Sequence, residues 1–586
     1  MENNRKDHDS ILLIDPITQY DVAPITAEQS FLSLGLRDRE LLNGRWHFSV
    51  DVYNTFLRKQ LFLQPPTDAY GKIAPVDHDY EQWERVNLPS NWNCEKEKYW
   101  HYEGSGIYTR TFPYEPKAQG ERVFLRIGAA NYICRVWLNG ALIARHTGGF
   151  TPFAMEISDK LTSDNRIILE VDSTRRIKQV PSLNYDWFNY GGVYRDIEFV
   201  RMPKTFIRDA FVSLDPVKDV IDVQVHVDGD AVGIHVRIDE LDVDADIEVN
   251  AQGKAQGSIG VSPELWSPEN PKLYRVQITC DGDSWQDDIG FRRIAARGKD
   301  IYLNGEKLFL KGICCHEEVP NRGHALTKED MIQTLQDAKE LGCNIMRLAH
   351  YPHHEQMSRL ADQMGILLWE EVPVYWALCF DAEETLASAQ NQMRELIMRD
   401  RNRASVVLWS VGNENPDTQA RLDFMKSLIA ICKELDPTRL TTAACLVNGQ
   451  QKCVSDRLCE YVDVISINEY YGWYISDFDE LRQILENSQF DKPLMISETG
   501  AGAKSGHHGV QGEFFTEEHQ AYVYRKQIEI TDGKLAGLLP WILYDFNTPL
   551  RMNAFQEGYN RKGLIDESRN HRKLAWHVLH DYYVNR

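Results

Sequence analysis

Eight short apolar runs, spaced through the second half of the chain, constrain its fold more than any other feature of the sequence. The runs begin near Phe309, Asn344, Ile366, Val406, Thr441, Asp463, Leu494 and Leu535. Each run is followed by a segment with helical spacing or by a loop, and the last such segment is Arg572 to Tyr583. Eight strand–helix units in about 290 residues predict a TIM barrel, in which parallel strands close into a cylinder surrounded by helices.

The first helix of this region has clear signals at both ends. Thr327 and Asp330 have the spacing of a capping box, and Gly342 has the conformational freedom that a helix end requires. Between them, one helix face carries Met331, Leu335, Ala338 and Leu341. We therefore expect a helix that packs this apolar face against the barrel.

Two of the predicted strands end in a glutamate. The run Val406–Val411 is followed by Gly412, Asn413 and Glu414, and Leu494–Ser497 is followed by Glu498. Glu414 then ends strand 4 and Glu498 ends strand 7, at the end of the barrel where such folds carry their chemistry. One such glutamate fits an ordinary loop, but a pair of carboxylates indicates hydrolysis of a glycosidic bond, by one acid/base and one nucleophile.

The first half of the chain has the pattern of antiparallel sheets. Arg135–Ile143 contains an Asn-Gly pair between β-like runs, the strongest short-range signal for a hairpin. Residues 30 to 201 therefore predict a β-sandwich, in which the aromatic loops Thr147–Phe153 and Asn184–Arg195 are either exposed or packed against a neighbouring domain. Residues 205 to 292 alternate with period two, as in an immunoglobulin-like sandwich. We expect domains at 1–203, 204–292 and 293–586.

Charge and composition exclude several classes of function. The chain has 586 residues, with 65 Lys and Arg against 87 Asp and Glu, a formal charge of -22. This balance argues against nucleic acids or anionic membranes as partners. No apolar signal region begins the sequence and no run of about 18 apolar residues occurs, so we expect a cytoplasmic protein. The eleven cysteines show no paired framework. No cluster has metal-ligand spacing, so we expect no metal or cofactor.

Several longer motifs resemble those of one enzyme family. They are Asp186–Gly192, Arg347–Pro352, Trp409–Glu414, Asn468–Tyr474 and Ser497–Glu498. With the order of jelly-roll, immunoglobulin-like and barrel domains, they are similar to glycoside hydrolases of family 2, most of all the β-glucuronidases. The resemblance implies a retaining, exo-acting enzyme with Glu414 as acid/base and Glu498 as nucleophile. It also implies a small-molecule or oligosaccharide glycoside as substrate, and it allows a homodimer or homotetramer.

The resemblance also implies a set of residues that bind the sugar. Asn413 can bond the 2-hydroxyl, a contact that strengthens in an oxocarbenium-like transition state. Tyr470 and Tyr474 can donate O–H bonds towards the nucleophile and the sugar, and Trp541 offers an apolar face to the ring. The remaining members of this set are Asp186 and His350. His350 and Arg347 either contact the sugar directly or support the residues that contact it. Packing under the site is expected for Trp409, Tyr471 and Trp473.

The segment Gly558–Gly563 bears on which sugar is bound. It resembles the Asn-x-Lys motif with which β-glucuronidases bind the substrate carboxylate, here Asn560 and Lys562. Charge-assisted bonds of this kind contribute about 1.5–3 kcal/mol each. Gln556 stands where many β-glucuronidases have an arginine. The choice between a glucuronide and a galacturonide as substrate therefore stays open. A β-galactosidase is a further alternative, whereas a carbohydrate-binding protein without catalysis would be expected to lack one carboxylate.

Overall fold

The computed structural model describes residues 20, 22–63 and 79–586, which form two compact units. The first unit combines the described residues up to Ser30 with Asp38–Thr174 and Asn189–Lys204. The second combines Phe31–Arg37, Arg175–Phe188 and Thr205–Arg586. No helix in these described ranges is both long and apolar enough to cross a membrane.

The first unit is a β-sandwich. Its strands are β1 (Glu40–Leu41), β2 (Gly44–Val50), β3 (Glu84–Leu88), β4 (Ser105–Pro113), β5 (Arg122–Ile127), β6 (Ala130–Asn131), β7 (Ile133–Leu138), β8 (Ala141–Thr147), β9 (Phe153–Glu156), β10 (Asp164–Asp172), β11 (Gly192–Val193) and β12 (Ile197–Met202). Its short helices are α1 (Ala27–Ser30), α2 (Thr55–Arg58) and α3 (Trp92–Glu95). Among described residues, the main sheets have the orders β1-β12-β5-β9 and β3-β2-β4-β10-β7-β8. Side chains of both sheets, such as Phe48 and Leu125, share one core.

The predicted hairpin is present in this unit. Strands β7 and β8 pair through a turn at Asn139 and Gly140, whose φ angles are 52° and 87°. Positive φ at both central residues defines the turn that matches the twist of the flanking strands. The Asn-Gly prediction is therefore confirmed.

The second unit contains an immunoglobulin-like sandwich. Its strands are β13 (Phe206–Leu214), β14 (Val220–Asp228), β15 (Gly233–Ile238), β16 (Val243–Glu248), β17 (Lys254–Gly260), β18 (Tyr274–Cys280) and β19 (Asp283–Ile289). They form two antiparallel sheets of orders β13-β14-β17 and β16-β15-β18-β19. The period-two residues alternate between core and surface, as in β15, where Ile234, Val236 and Ile238 are buried. A small sheet follows, made of β20 (Ile294–Arg297), β21 (Asp300–Leu303) and β22 (Glu306–Leu308).

The rest of the second unit is the predicted barrel. Its parallel strands are β23 (Leu310–Cys315), β24 (Ile345–Leu348), β25 (Leu367–Glu371), β26 (Val406–Asn413), β27 (Leu440–Cys445), β30 (Val464–Asn468), β31 (Leu494–Glu498) and β32 (Gly537–Leu538), closed in this order. Two hairpins lie outside the cylinder, β28 (Val447–Asn448) with β29 (Cys453–Val454) and β33 (Phe546–Asn547) with β34 (Tyr559–Asn560). Every residue of β26 is buried, because a barrel strand is covered by the interior on one face and by helices on the other.

Helices cover the outside of the barrel. They are α4 (Lys328–Leu341), α5 (Glu355–Met364), α6 (Glu383–Asp400), α7 (Gln419–Leu435), α8 (Phe478–Asn487), α9 (Glu517–Thr531) and α10 (Leu574–Val584). At the start of α4, Thr327 and Asp330 form the predicted capping box, and Gly342 ends the helix with φ 92°. The four apolar residues of its predicted inner face are all buried.

The prediction of exposed aromatic loops is wrong. In the first unit, Phe150 and Tyr190 are buried. In the second unit, Trp187 is 5% exposed and its ring lies 5.4 Å from that of Tyr351 and 5.1 Å from that of Tyr375. These rings are buried despite the polar residues between them, because burial of each ring removes a large apolar area from water.

Candidate active site

One arginine at the C-terminal end of the barrel binds side chains from three other strands. Arg347, on β24, is fully buried. Its guanidinium donates to both oxygens of Glu371 at 3.0 Å, to Glu498 Oε1 at 2.9 Å and to Asn413 Oδ1 at 2.8 Å. Burial opposes its charge, but Glu371 and Glu498 raise its pKa above the ordinary value. The planar fork of an arginine therefore fixes the ends of β25, β26 and β31 relative to one another.

Glu498 is held in one orientation at the end of β31. Arg347 bonds its Oε1, and the Tyr470 hydroxyl donates to its Oε2 at 2.7 Å. His350 Nε2 lies 3.6 Å from Oε1. Burial raises the pKa of Glu498, while Arg347 and His350 oppose this rise. Burial and the two nearby carboxylates also hold the pKa of Tyr470 well above its usual range, so that its hydroxyl remains a donor.

Glu414 follows β26 with both carboxylate oxygens bonded. Asn468 Nδ2 donates to Oε1 at 3.1 Å, and the Trp376 indole N–H donates to Oε2 at 2.8 Å. Asn468 also donates to Asn413 Oδ1 at 3.1 Å and accepts from the Ser497 hydroxyl at 2.8 Å. Asn468 thus links Glu414 with Asn413 and Ser497, the residues that directly precede the two glutamates.

Lys562 is a buried cation next to the glutamate cluster. It is 3% exposed, and its ammonium donates to the Tyr474 hydroxyl at 3.0 Å. The same nitrogen lies 5.1 Å from the ring centroid of Tyr470 and 4.9 Å from that of Tyr474. Burial lowers the pKa of Lys562. Because Tyr470 touches both Glu498 and Lys562, the carboxylates and this cation belong to one site.

A second cation lies beside Lys562. The Arg551 guanidinium forms an ion pair with Asp186, and its Nη1 lies 3.5 Å from the Tyr474 hydroxyl. Asp186 also accepts from Asn560 Nδ2 at 3.3 Å. Asp186 raises the pKa of Arg551 against the effect of burial. The predicted residues Asp186, Asn560, Lys562 and Tyr474 therefore meet, and Arg551 joins them.

The other predicted residues lie around this centre. The Trp541 ring stacks on His350 with centroids 4.9 Å apart, and His350 Nδ1 lies 2.7 Å from Glu371. The Tyr474 hydroxyl accepts from Lys562 Nζ at 3.0 Å, which leaves its own O–H group as a donor. Trp409 is buried in the core and donates to Asp436, which agrees with a packing role.

The sequence alone did not predict a role in the site for four residues: Glu371, Trp376, Asn468 and Arg551. Glu371 carries a usable signal, since it is a third carboxylate at the end of a predicted barrel strand. Asn468 lies within a motif that was recognised, but nothing in its spacing points to Glu414. Trp376 and Arg551 lie in loops, where sequence periodicity does not indicate which way a side chain points.

The described residues offer no metal centre. Across residues 20, 22–63 and 79–586, no group of three or more His, Cys, Asp or Glu side chains is arranged to hold an ion. What the site offers instead is two carboxylates with separate hydrogen-bond partners, together with a pair of cations. Such an arrangement can transfer a proton, form a bond to an electrophilic carbon and bind an anion.

Comparison with known proteins places similarity along nearly the whole chain. Residues 39–203, 205–292 and 294–583 match, respectively, the sugar binding domain of glycosyl hydrolases family 2, glycosyl hydrolases family 2, and the TIM barrel domain of the same family. A β-glucuronidase of Streptococcus agalactiae serotype V is 28% identical, over 91% of this chain and 94% of its own.

Solved structures give the same result. A β-D-glucuronidase of Dictyoglomus thermophilum has a TM-score of 0.80 at 28% identity, covering 94% of this chain and 97% of its own. A β-galacturonidase of Eisenbergiella tayi, bound to galacturonate, has a TM-score of 0.81 at 24% identity, covering 94% and 99%. At 24% identity, the likeness to the β-galacturonidase shows a shared fold and no more than that.

Proposed function

Because the chain belongs to family 2 of the glycosyl hydrolases and is a glycoside hydrolase, we propose that it removes terminal β-D-glucuronic acid from glycosides with retention of configuration. The single observation that carries the choice of sugar is the buried ammonium of Lys562, next to Arg551 and Asn560. The names of its similar relatives support the same choice.

In the proposed first step, Glu498 is the nucleophile. Its carboxylate oxygen bonds to the anomeric carbon while the bond from that carbon to the leaving oxygen breaks, and the proton of Glu414 passes to the leaving oxygen. Arg347 and Tyr470 each hold one oxygen of Glu498, so that the carboxylate is oriented before the substrate arrives.

In the second step the roles of Glu414 reverse. Its carboxylate accepts a proton from water, the water oxygen bonds to the anomeric carbon, and the bond to Glu498 breaks. The two inversions give net retention. Asn413 supports both steps, because Arg347 and Asn468 occupy its oxygen and leave its amide N–H groups to donate to the sugar 2-hydroxyl.

The carboxylate of the sugar would bind Lys562. A neutral hydroxymethyl group would not compensate the cost of keeping an ammonium away from water, whereas an anion forms a charge-assisted bond with it. Arg551 adds a second cation, although Asp186 neutralises much of its charge. Arg551 could thus replace the cation that is missing at Gln556.

Galacturonide is the second candidate. It carries the same carboxylate and differs at the 4-hydroxyl, and no cation at Gln556 distinguishes the two sugars. Hydrolysis of a panel of aryl β-glycosides (glucuronide, galacturonide, galactoside, glucoside and mannoside) tests the proposal. A preference for the galactoside would reject a uronide substrate, and a preference for galacturonide would support the second candidate.

The compartment, the domain boundaries and the oligomeric state of the enzyme are also proposals. No disulfide joins any of the eleven cysteines, which supports a reducing compartment such as the cytoplasm. We also propose domain boundaries after residues 203 and 292 and a homodimer or homotetramer. Limited proteolysis and light scattering of the purified protein test these two expectations.

A further inference from the structure

Trp376 is bound to three consecutive residues around Glu414. Its backbone N–H donates to Asn413 O at 2.9 Å, its carbonyl accepts from Asn415 Nδ2 at 2.7 Å, and its indole N–H donates to Glu414 Oε2 at 2.8 Å. Both Trp376 and Glu414 have φ 52°, in the left-handed region that non-glycine residues seldom adopt. The segment after β25 and the segment after β26 therefore hold each other in place.

We infer that Trp376 is a positioning residue for the acid/base carboxylate of Glu414, and that its ring forms one wall of the leaving-group site and favours a planar aromatic aglycone. This inference rests on the acid/base role proposed for Glu414.

The hydrogen bond fits a positioning role. An indole N–H is a donor only, so it can orient the carboxylate without taking or giving the catalytic proton. Asn468 bonds the other oxygen of Glu414 and can do the same. With both oxygens bonded, rotation of the Glu414 side chain away from the glycosidic oxygen is opposed by two donors.

The position of the ring fits a leaving-group wall. The acid must lie within about 2.6–3.2 Å of the oxygen that it protonates. Since the indole nitrogen is 2.8 Å from Glu414, the first atoms of the leaving group lie roughly 6 Å from that nitrogen.

Trp376 is half-buried and therefore partly open to a ligand. Buried Tyr375 supports the indole, with ring centroids 4.5 Å apart and planes at 33°. An aromatic aglycone stacked on the indole would continue this arrangement.

Three substitutions separate the two roles. Trp376→Phe removes the N–H and keeps a ring, Trp376→His keeps a ring with an N–H, and Trp376→Ala removes both. Trp576→Phe is the matched control, because the Trp576 indole N–H in α10 has no hydrogen-bond partner among the residues that the structure describes. All are assayed with aryl β-glycosides of the sugar that the wild type hydrolyses best, so that a wrong choice of sugar does not affect the result.

For the positioning role, we expect Trp376→Phe to lower kcat/KM for the phenyl glycoside by roughly tenfold to a hundredfold, and for the 2,4-dinitrophenyl glycoside by less than about threefold. An activated leaving group needs no proton, which is the reason for the difference. Trp376→His should recover part of the phenyl activity, and Trp576→Phe should match the wild type.

For the ring, Trp376→Ala should raise KM for the phenyl glycoside more than for the hexafluoroisopropyl glycoside, whose leaving group has similar acidity but no ring. Equal losses with both activated and unactivated phenols would overturn the positioning role and leave only a structural one. Equal KM changes for phenyl and alkyl glycosides would overturn the aromatic wall. A wild type that hydrolyses none of these glycosides would overturn the inference together with the proposed function.

Discussion

Removal of the Lys562 ammonium gives the sharpest test of the proposed sugar. Lys562→Met keeps most of the side-chain volume and removes the charge. The ammonium is buried, so a bound uronate would lose one charge-assisted hydrogen bond, about 1.5–3 kcal/mol, and its own carboxylate would be left in a poorly hydrated pocket, about 1 kcal/mol more. Arg551 remains but is paired with Asp186. We therefore expect kcat/KM for the glucuronide to fall by about 2.5–4 kcal/mol, or roughly 70- to 1,000-fold.

The assay compares two substrates and two variants. Activity of Lys562→Met on an aryl galactoside should be nearly unchanged, because a hydroxymethyl group makes no ionic contact. Lys311→Met is the matched control, since this lysine lies on β23 and donates to the Tyr583 carbonyl. It should affect stability without changing the ratio of the two activities. Equal losses of glucuronide and galactoside activity in Lys562→Met would refute the reasoning, because distortion of the barrel lowers both together.

Four further predictions concern the glutamate cluster. Glu498→Ala should abolish turnover of every aryl glycoside, whereas Glu414→Ala should keep activity on activated phenols and form a β-glycosyl azide with added azide; the same product from Glu498→Ala would reverse the assignment. Arg347→Lys should lower kcat/KM at least about a hundredfold and lower the free energy of unfolding by about 3–5 kcal/mol. The reason is that two buried carboxylates lose the planar guanidinium that donates to both. Denaturant titration measures the second effect, and an unfolding midpoint equal to that of the wild type would contradict it. Burial raises the pKa of Glu498, so the acid limb of kcat/KM should lie above the ordinary glutamate range. Tyr470→Phe should move this limb further up, since a donor to the ionised form is lost; a downward shift would contradict it. NMR should show the β-anomer first, with the carboxyls of Glu414 and Glu498 about 5–5.5 Å apart in a crystal structure; a first-formed α-anomer would refute retention.

The barrel could be predicted from sequence because its strands are buried on both faces. Such strands are continuous apolar runs, and their predicted starts lie within two residues of the observed ones. The last strand, β32, has two residues, and its predicted start has the largest error. The two glutamates could be found for the same reason, since the strand that carries each of them ends at or just before it.

Contacts between loops could not be predicted in this way. The burial of Lys562 depends on Tyr470 and Tyr474 from a different strand end, and a lysine in a polar segment is usually exposed. The ion pair of Arg551 with Asp186 joins residues far apart in the sequence. Spacing along the chain carries no information about such pairs, whereas the family resemblance identified Asp186 and Lys562 without identifying what holds them.

The presence of Glu371 explains how Arg347 can orient Glu498 without weakening it as a nucleophile. An arginine paired with Glu498 alone would lower the pKa of that carboxylate and with it its basicity. Glu371 accepts from both Arg347 and Trp369, and despite burial its pKa is lowered to about 2, so it stays ionised and balances the arginine charge. Burial keeps the pKa of Glu498 above its usual value although Arg347 donates to it. The division of the arginine charge between the two glutamates therefore leaves Glu498 fixed in position by a hydrogen bond, yet basic enough to attack the anomeric carbon.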